Sequence, residues 1–197
     1  MKCLPYLLVL FIQTYALSQT LAPDLWYKGK VVLENKDTIN GLIKYDMLDL
    51  LQVTRNGRLE IFPAEKVVFF EIFDPTAKRS RQFYAMPFIK KGLFRKPIFF
   101  ELISNGKITL FARERIETIT YSQSTNSVPP TIHRILRFHF YLLEDKDIKK
   151  ISDRPDKLLK LMEDKSDNVR LFVKTNKLSL DHKYDLKRII DYYNSLF

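Results

Sequence analysis

The alternation of apolar and polar positions predicts a chain built mainly from β-hairpins. Residues 26–46 (WYKGKVVLENKDTINGLIKYD) read as two strands around the turn-forming residues 34–37. A second hairpin is predicted over residues 51–62, because Asn56-Gly57 suits the positive φ values of a type I′ turn. A third is predicted over residues 98–112, around a turn at residues 104–107 that contains Asn105-Gly106.

Further strands are predicted between and after these hairpins. Residues 66–73 (KVVFFEIF) show little alternation, which predicts a strand that is buried on both faces or lies in the middle of a sheet. Residues 79–88 alternate, with Arg79, Arg81 and Phe83 on one face. Seven to nine strands between residues 28 and 121 with short connections predict an antiparallel meander that forms a small barrel or a curled sheet. Residues 132–143 and 148–151 predict two more strands.

The apolar period changes near residue 152, after the polar and Pro-containing stretch 122–131 and the strands that follow it. One helix is predicted to start near Pro155 and a second near Ser166. In a third, Leu186, Ile189 and Ile190 recur at helical spacing. The predicted fold class is therefore α+β, mainly β, with a C-terminal subdomain of about three short helices. A subdomain of this size is expected to pack on the sheet.

The N-terminal residues predict export. Lys2 gives a positive start, residues 4–12 form a nine-residue apolar run, and Ala16-Leu17-Ser18 fits a cleavage site before Gln19. The run is shorter than the ~20 residues of a spanning helix, although a retained N-terminal membrane anchor stays open as an alternative. The predicted organisation is a signal peptide over 1–18, a β-rich domain over 19–151 and the helical subdomain over 152–197.

Three segments carry a resemblance to a known group. They are KGKVVLENKDTINGLIKYD near the start, the REFY-like RQFYAMPF in the middle and KTNKLSLDHKYDLKRIIDYYNSL at the end. Together they resemble uncharacterised exported proteins of the Bacteroidota, and the resemblance covers most of the mature chain. It implies a location in the cell envelope. With the predicted signal peptide, the protein is expected to be periplasmic or associated with the outer membrane. It implies no activity and supplies no catalytic or binding residues.

Charge gives the sharpest local signal in a chain of formal net charge +10. Residues 75–100 contain no Asp or Glu, while aromatic residues interleave with seven cations. The pattern suits an anionic membrane surface or an acidic polymer. It also resembles single-stranded nucleic-acid binding, which export argues against, or a solvated basic loop flanked by core aromatics. The candidate contact residues are Lys78, Arg79, Arg81, Lys90, Lys91, Arg95 and Lys96.

No catalytic, cofactor-binding or metal-binding residues are predicted. The five glycines are scattered, so no phosphate-binding loop can form, and the single cysteine, Cys3, lies in the signal segment. His133 and His139 would lie about 20 Å apart on one strand, too far apart to share a metal ion. Carboxylates that are close in sequence, such as Asp46 and Asp49, could act on a glycan, but in predicted turns such side chains more often bond the backbone.

The sequence therefore predicts an exported cell-envelope protein that serves as a non-enzymatic binding or structural component. Its basic and aromatic stretch is the predicted contact surface, for an anionic membrane surface, an acidic polymer or an envelope protein. The alternative is a hydrolase of unrecognised type that acts on envelope polymers. That alternative predicts a cleft with two close carboxylates or a His–carboxylate pair.

Overall fold

Ten strands precede three helices in the computed structural model, which describes residues 25–89, 94–121, 131–144, 147–151 and 155–197. The predicted signal peptide lies outside these residues. The strands are β1 (Tyr27–Leu33), β2 (Thr38–Tyr45), β3 (Leu50–Arg55), β4 (Arg58–Pro63), β5 (Val67–Asp74), β6 (Arg79–Ile89), β7 (Arg95–Ser104), β8 (Leu110–Tyr121), β9 (Thr131–Glu144) and β10 (Asp147–Lys150). The helices are α1 (Pro155–Lys160), α2 (Ser166–Thr175) and α3 (Lys183–Asn194).

All ten strands belong to one antiparallel sheet, so the predicted mainly β meander with three C-terminal helices is confirmed. The spatial order is β10-β9-β8-β7-β6-β5-β1-β2-β3-β4. Strands β1 to β4 form one meander. The chain then passes through a 3-10 turn (Ala64–Lys66), and β5 pairs with the free side of β1 before a second meander runs to β10. Over the described residues the sheet stays open, with β4 and β10 as its edges.

The sheet curls, because its two meanders contact each other beyond their shared β1–β5 pair. The turn after β2 lies against the second meander, where the Phe99 N–H donates to the Leu48 carbonyl at 3.2 Å. Ile116 and Leu136, from β8 and β9, pack against the core formed mainly by β1 to β5. Of the two predicted forms, a small barrel or a curled sheet, the structure is the curled sheet. Its concave side holds the core formed mainly by β1 to β5, which is called the first core below.

Strand β5 lies in the interior of the sheet between β1 and β6, as one reading of its apolar run predicts. It is not buried on both faces, however. Phe70 and Ile72 are fully buried, whereas Phe73 on the opposite face is 48% exposed and Val68, at the register shift against β1, is 39% exposed. Each fully buried side chain of β5 contributes about 1.5–3 kcal/mol to the stability of the fold, whereas the apolar side chains on its outer face contribute less because they stay partly in water.

The backbone geometry requires glycine at two positions, Gly57 and Gly29. Asn56 and Gly57 have φ values of 51° and 74°, so the predicted type I′ turn joins β3 to β4. Gly29 in β1 lies so close to β5 that a Cβ atom there would be 2.1 Å from the Glu71 carbonyl oxygen. Gly29 therefore permits the crossover pairing of β1 with β5 that joins the two meanders.

The helices pack on β7, β8 and β9 and form a second core. Leu186, Ile189 and Ile190 of α3 are buried there together with Leu110 and Leu142 from the sheet. No helix in the described part of the chain is long and apolar enough to cross a membrane.

The C-terminal end of α3 is fastened to the β7–β8 turn by hydrogen bonds. The Asn194 side chain accepts a bond from the Ile108 N–H at 2.8 Å and donates one to the Ile108 carbonyl at 2.9 Å. Gly106 makes room for it, because a Cβ atom at Gly106 would lie 2.6 Å from the Asn194 Cγ. The distinctive Tyr-Tyr-Asn segment near the C-terminus thus has a structural role in docking the helix.

Candidate functional site

The structure describes five of the seven candidate contact residues and places them in different environments. Lys78 is exposed in the β5–β6 turn, and Arg79 is half-buried. Arg81 is buried, with 6% of its surface accessible, so it is not part of any contact surface. Lys90 and Lys91 lie outside the described residues.

The last two candidates, Arg95 and Lys96, are exposed and paired. Arg95 forms an ion pair with Asp147 of β10. Lys96 forms one with Asp49 and lies 3.7 Å from a Glu65 carboxylate oxygen. The acid-free stretch of sequence is therefore not free of acidic neighbours in the fold.

The Arg81 guanidinium lies at the centre of a buried ion cluster. Alternation along β6 turns Arg79, Arg81 and Phe83 toward the concave side of the sheet. There the Arg81 Nε donates to Glu101 Oε1 at 3.0 Å and its Nη2 donates to Glu101 Oε2 at 2.8 Å. The same Nη2 donates to Glu114 Oε1 at 2.6 Å. The bidentate contact with Glu101 is the strongest geometry available to an arginine and a carboxylate.

Lys183 and Tyr45 complete the cluster from two other elements. Lys183, the first residue of α3, donates from its Nζ to Glu101 Oε2 at 2.6 Å. The Tyr45 hydroxyl at the end of β2 donates to Glu114 Oε2. The cluster therefore joins β2, β6, β7, β8 and the N-terminal end of the last helix.

Charges in and around the cluster balance. Three cations, Arg79, Arg81 and Lys183, face Glu101, Glu114 and Asp74, whose Oδ2 lies 3.5 Å from the Arg81 Nη1. Burying an uncompensated ion would cost several kcal/mol. This balance allows Arg81, Lys183, Glu101 and Glu114 to remain charged although their side chains are almost fully buried.

The pKa shifts reflect burial opposed by these charges. Burial alone would raise the pKa of Glu101, but Arg81 and Lys183 outweigh it and the pKa is lowered. Burial lowers the pKa of Lys183, and the Glu101 carboxylate offsets only part of that effect. Burial raises the pKa of Tyr45 well above its usual range, and Glu114 raises it further. Glu101 is thus held ionised, and the Tyr45 phenol is held protonated as a donor.

The cluster contains the close carboxylates that the hydrolase alternative predicts, since Glu101 and Glu114 share one nitrogen of Arg81. All four of their carboxylate oxygens already accept a hydrogen bond from a protein donor. Both residues are at least 95% buried. A general acid or base must reach its substrate, so this geometry suits a structural role.

A cavity of about 230 Å³ lies next to the cluster, between the β2–β3 turn and β8, and Glu114 borders it. Asp46 also lines it, but its Oδ1 accepts bonds from the backbone N–H groups of Leu48, Asp49 and Leu50. The prediction that this aspartate serves its turn is confirmed. The two acidic groups at the cavity are therefore committed to the fold.

A different feature appears at the tip of the β6–β7 hairpin. Phe94 is 96% exposed and Ile89 is 57% exposed, on either side of residues 90–93. Arg95 pairs across the hairpin with Ile89, and Lys96 pairs with Phe88. Large apolar side chains of β6 thus stand opposite basic side chains of β7 at an exposed end of the sheet.

The histidines do not assemble into a metal site in the described residues, where no group of three His, Cys, Asp or Glu side chains is placed to hold an ion. The His139 Nε2 lies 3.4 Å from Glu117 Oε1, and the His182 Nδ1 lies 3.7 Å from Asp185 Oδ2. Burial lowers the pKa of His139, which keeps the imidazole neutral.

Sequence reasoning missed Glu101, Glu114, Lys183 and Tyr45 as members of one cluster. A signal was present for two of them. Glu101 shares strand parity with buried Phe99 and Ile103, and Glu114 shares parity with buried Ala112. A charged residue at an inward position requires a buried partner of opposite charge.

Comparison of the chain with protein-family models, with curated proteins and with solved structures finds no match.

Proposed function

We propose that this protein is an exported cell-envelope component that binds rather than catalyses, and that the tip of the β6–β7 hairpin contacts an anionic membrane surface. The observation that carries the proposal is the 96% exposure of Phe94 beside Arg95 and Lys96. The N-terminal sequence pattern and the resemblance to exported Bacteroidota proteins support the envelope location.

An exposed aromatic ring with basic neighbours suits a membrane interface for two reasons. Transfer of the ring from water to the boundary between headgroups and acyl chains is favourable, because it removes apolar surface from water. Each Lys or Arg near an anionic surface adds about 1 kcal/mol of attraction, which falls off within a Debye length. Phe94 and Ile89 supply the apolar part, and the neighbouring Lys90 and Lys91 are cationic by sequence.

The acidic partners of Arg95 and Lys96 limit the electrostatic part. Asp147 and Asp49 partly neutralise these two cations, so their attraction to lipid is reduced. Binding is therefore expected to depend strongly on Phe94, with an additional salt-sensitive contribution from Lys90 and Lys91.

Co-sedimentation with vesicles tests the proposal. The wild-type chain is expected to bind vesicles rich in anionic lipid, to lose affinity with added salt and to bind neutral vesicles at least tenfold more weakly. Phe94→Ser and the pair Lys90→Glu with Lys91→Glu should each weaken binding about tenfold, which corresponds to about 1.4 kcal/mol. Leu171→Ser is the matched control, since Leu171 is 66% exposed on α2.

Two outcomes would refute the proposal in different ways. Absence of salt-sensitive binding to anionic vesicles removes the membrane surface as the partner. Binding that is insensitive to Phe94→Ser but is competed by a soluble acidic polysaccharide assigns the basic residues to an acidic polymer instead. N-terminal sequencing of the mature protein separately distinguishes a cleaved signal peptide from a retained anchor.

A further inference from the structure

The two edges of the sheet are protected to very different degrees. Strand β10 has four residues, three of which are charged: Asp147, Lys149 and Lys150. Short, charged edge strands are a known defence against pairing with another chain. Strand β4 has six residues, and it places Leu59 and Ile61 on the outer face with 57% and 59% of their surfaces exposed.

The turn that precedes β4 determines which of its backbone groups are free. A two-residue type I′ loop makes Arg55 and Arg58 a hydrogen-bonded pair, so Glu60 and Phe62 also direct their N–H and C=O groups toward β3. The bond from the Ala64 N–H to the Asp49 carbonyl, at 2.7 Å, continues the same alternation. The backbone groups of Leu59 and Ile61 therefore point away from the sheet.

The side chains of β4 are self-complementary about Leu59. Arg58 and Glu60 lie one residue to either side of it, on the opposite face of the strand. If two copies of β4 pair antiparallel with Leu59 opposite Leu59, each Arg58 stands opposite Glu60 of the other copy. A shift by two residues would instead place two Glu60 side chains or, in the other direction, two Arg58 side chains opposite each other, and like charges that face each other directly are unfavourable.

We propose that the β4 edge pairs with the β4 edge of a second copy of this chain, in the antiparallel register that places Leu59 opposite Leu59. The pairing extends the sheet across a two-fold axis and uses backbone groups that have no neighbouring strand among the described residues. It covers Leu59 and Ile61, and it forms two reciprocal Arg58–Glu60 contacts. The inference does not depend on the membrane contact proposed above.

Sedimentation velocity of the purified chain tests the proposal over about 1 μM to about 1 mM, the range in which weak dimers form. A reversible monomer–dimer equilibrium is expected. Leu59→Pro should abolish the dimer, because it removes an outward N–H while keeping every bond to β3. Leu171→Lys, at an exposed position on α2, is the surface control and should dimerise normally. A proline at this position would break the helix.

A charge swap gives the sharper readout and does not depend on a proline. Arg58→Glu should raise the dissociation constant at least tenfold, since it places two carboxylates opposite each other at both contacts. The double variant Arg58→Glu with Glu60→Arg should return it to within about threefold of wild type, because the reciprocal pairs are restored with opposite polarity. Arg55, which lies 3.6 Å from Glu60 in the wild-type chain, also stands opposite position 58 across the hairpin, so the swap keeps an acidic side chain beside it. Circular dichroism serves as the check that each variant is folded.

Three results would overturn the proposal. A wild-type chain that stays monomeric over the whole range leaves the edge to an extended segment of another protein. A dimer that persists in Leu59→Pro must use a different surface. A charge swap that does not restore the loss caused by Arg58→Glu would show that the proposed register is wrong.

Discussion

The two ends of the β6–β7 hairpin carry the same type of residue in opposite environments. At its base, Arg81 has a side chain only 5% exposed and bonds to two buried carboxylates. At its tip, the Lys96 side chain is 55% exposed and pairs at the surface. Both residues belong to one acid-free stretch of the sequence. The fold nevertheless separates them, so the cations of this stretch do not form one continuous basic surface.

The difference shows that strand parity and depth decide what a cation does in this protein. Arg81 points into the concave side of a curled sheet, where low polarity strengthens both its attraction to Glu101 and the cost of losing it. Lys96 lies in water, where its attraction to Asp49 is weakened by solvent and salt. A one-residue slip of β6 against β7 would turn Arg81 away from Glu101, so the buried cluster also helps to specify the register.

The largest expected effect comes from removing the central carboxylate. Glu101→Ala leaves Arg81 without its bidentate partner and Lys183 without its acceptor, both in a buried site. We expect a loss of about 3–5 kcal/mol in the free energy of unfolding, measured by chemical denaturation. Glu117→Ala is the matched control, because Glu117 is also an ion-paired strand glutamate but is 42% exposed.

The control is expected to lose at most about 1 kcal/mol. Equal losses in Glu101→Ala and Glu117→Ala would mean that the buried and exposed ion pairs are energetically alike. The contrast between the two environments would then fail.

The free energy of unfolding should also depend on pH through the buried Glu101 carboxylate. The pKa of Glu101 is lower in the folded state than in the unfolded chain, so the folded state binds fewer protons at this site. Its contribution to stability is therefore fully present above its unfolded value of about 4.3 and is lost as the pH falls through the folded pKa.

Unfolding free energies measured between pH 7 and pH 2 check this. Wild type should lose stability more steeply than Glu101→Gln below about pH 4, because glutamine cannot titrate. Identical slopes would show that another carboxylate is responsible for the acid sensitivity.

A smaller effect is expected from Lys183, whose charged form burial already disfavours. Lys183→Met keeps much of the side-chain volume and leaves Glu101 with both Arg81 bonds. We expect a loss of about 1–3 kcal/mol, together with faster hydrogen exchange confined to the first turn of α3. Asn194 should still hold the other end of that helix.

Lys187→Met is the control for this variant, since the Lys187 side chain on the same helix is 37% exposed and pairs with Asp191. It is expected to change stability by no more than about 0.5 kcal/mol. Faster exchange along the whole of α3 in Lys183→Met would assign the docking of the helix to the ion cluster alone.

Much of the fold follows from local patterns in the sequence. The Asn56-Gly57 turn, the change of apolar period after the last strand and the alternation in β6 each act over a few residues, and each is confirmed. The return of β5 to the free side of β1 was not predicted, because pairing between strands distant in sequence leaves no local signal.

The ion cluster was missed for the same reason. Glu101 meets Arg81 across 20 residues of sequence and Lys183 across 82. Strand parity alone marks Arg81 and Glu101 as inward, but it does not identify their partners. Lys183 carries no such mark, since a lysine at the start of a helix usually faces solvent. Only the docking of α3 on the sheet brings it to Glu101.

The smallest effect is expected at the hairpin tip. Arg95→Met and Lys96→Met should each leave the thermal midpoint unchanged within error, in low salt and in about 0.5 M salt, because both cationic side chains are more than half exposed and solvent and salt screen their ion pairs. Arg81→Met is the matched change at the base of the same hairpin. It should lower the midpoint at both salt concentrations, since it removes the ion-pair partner of buried Glu114 and the bidentate partner of buried Glu101. A midpoint that falls equally for Lys96→Met and Arg81→Met would mean that Asp49 and Glu65 hold the tip as firmly as Glu101 holds the base. The tip would then be part of the rigid fold, and the proposed contact of Phe94 with a membrane would have to occur without releasing either cation from its acidic partner.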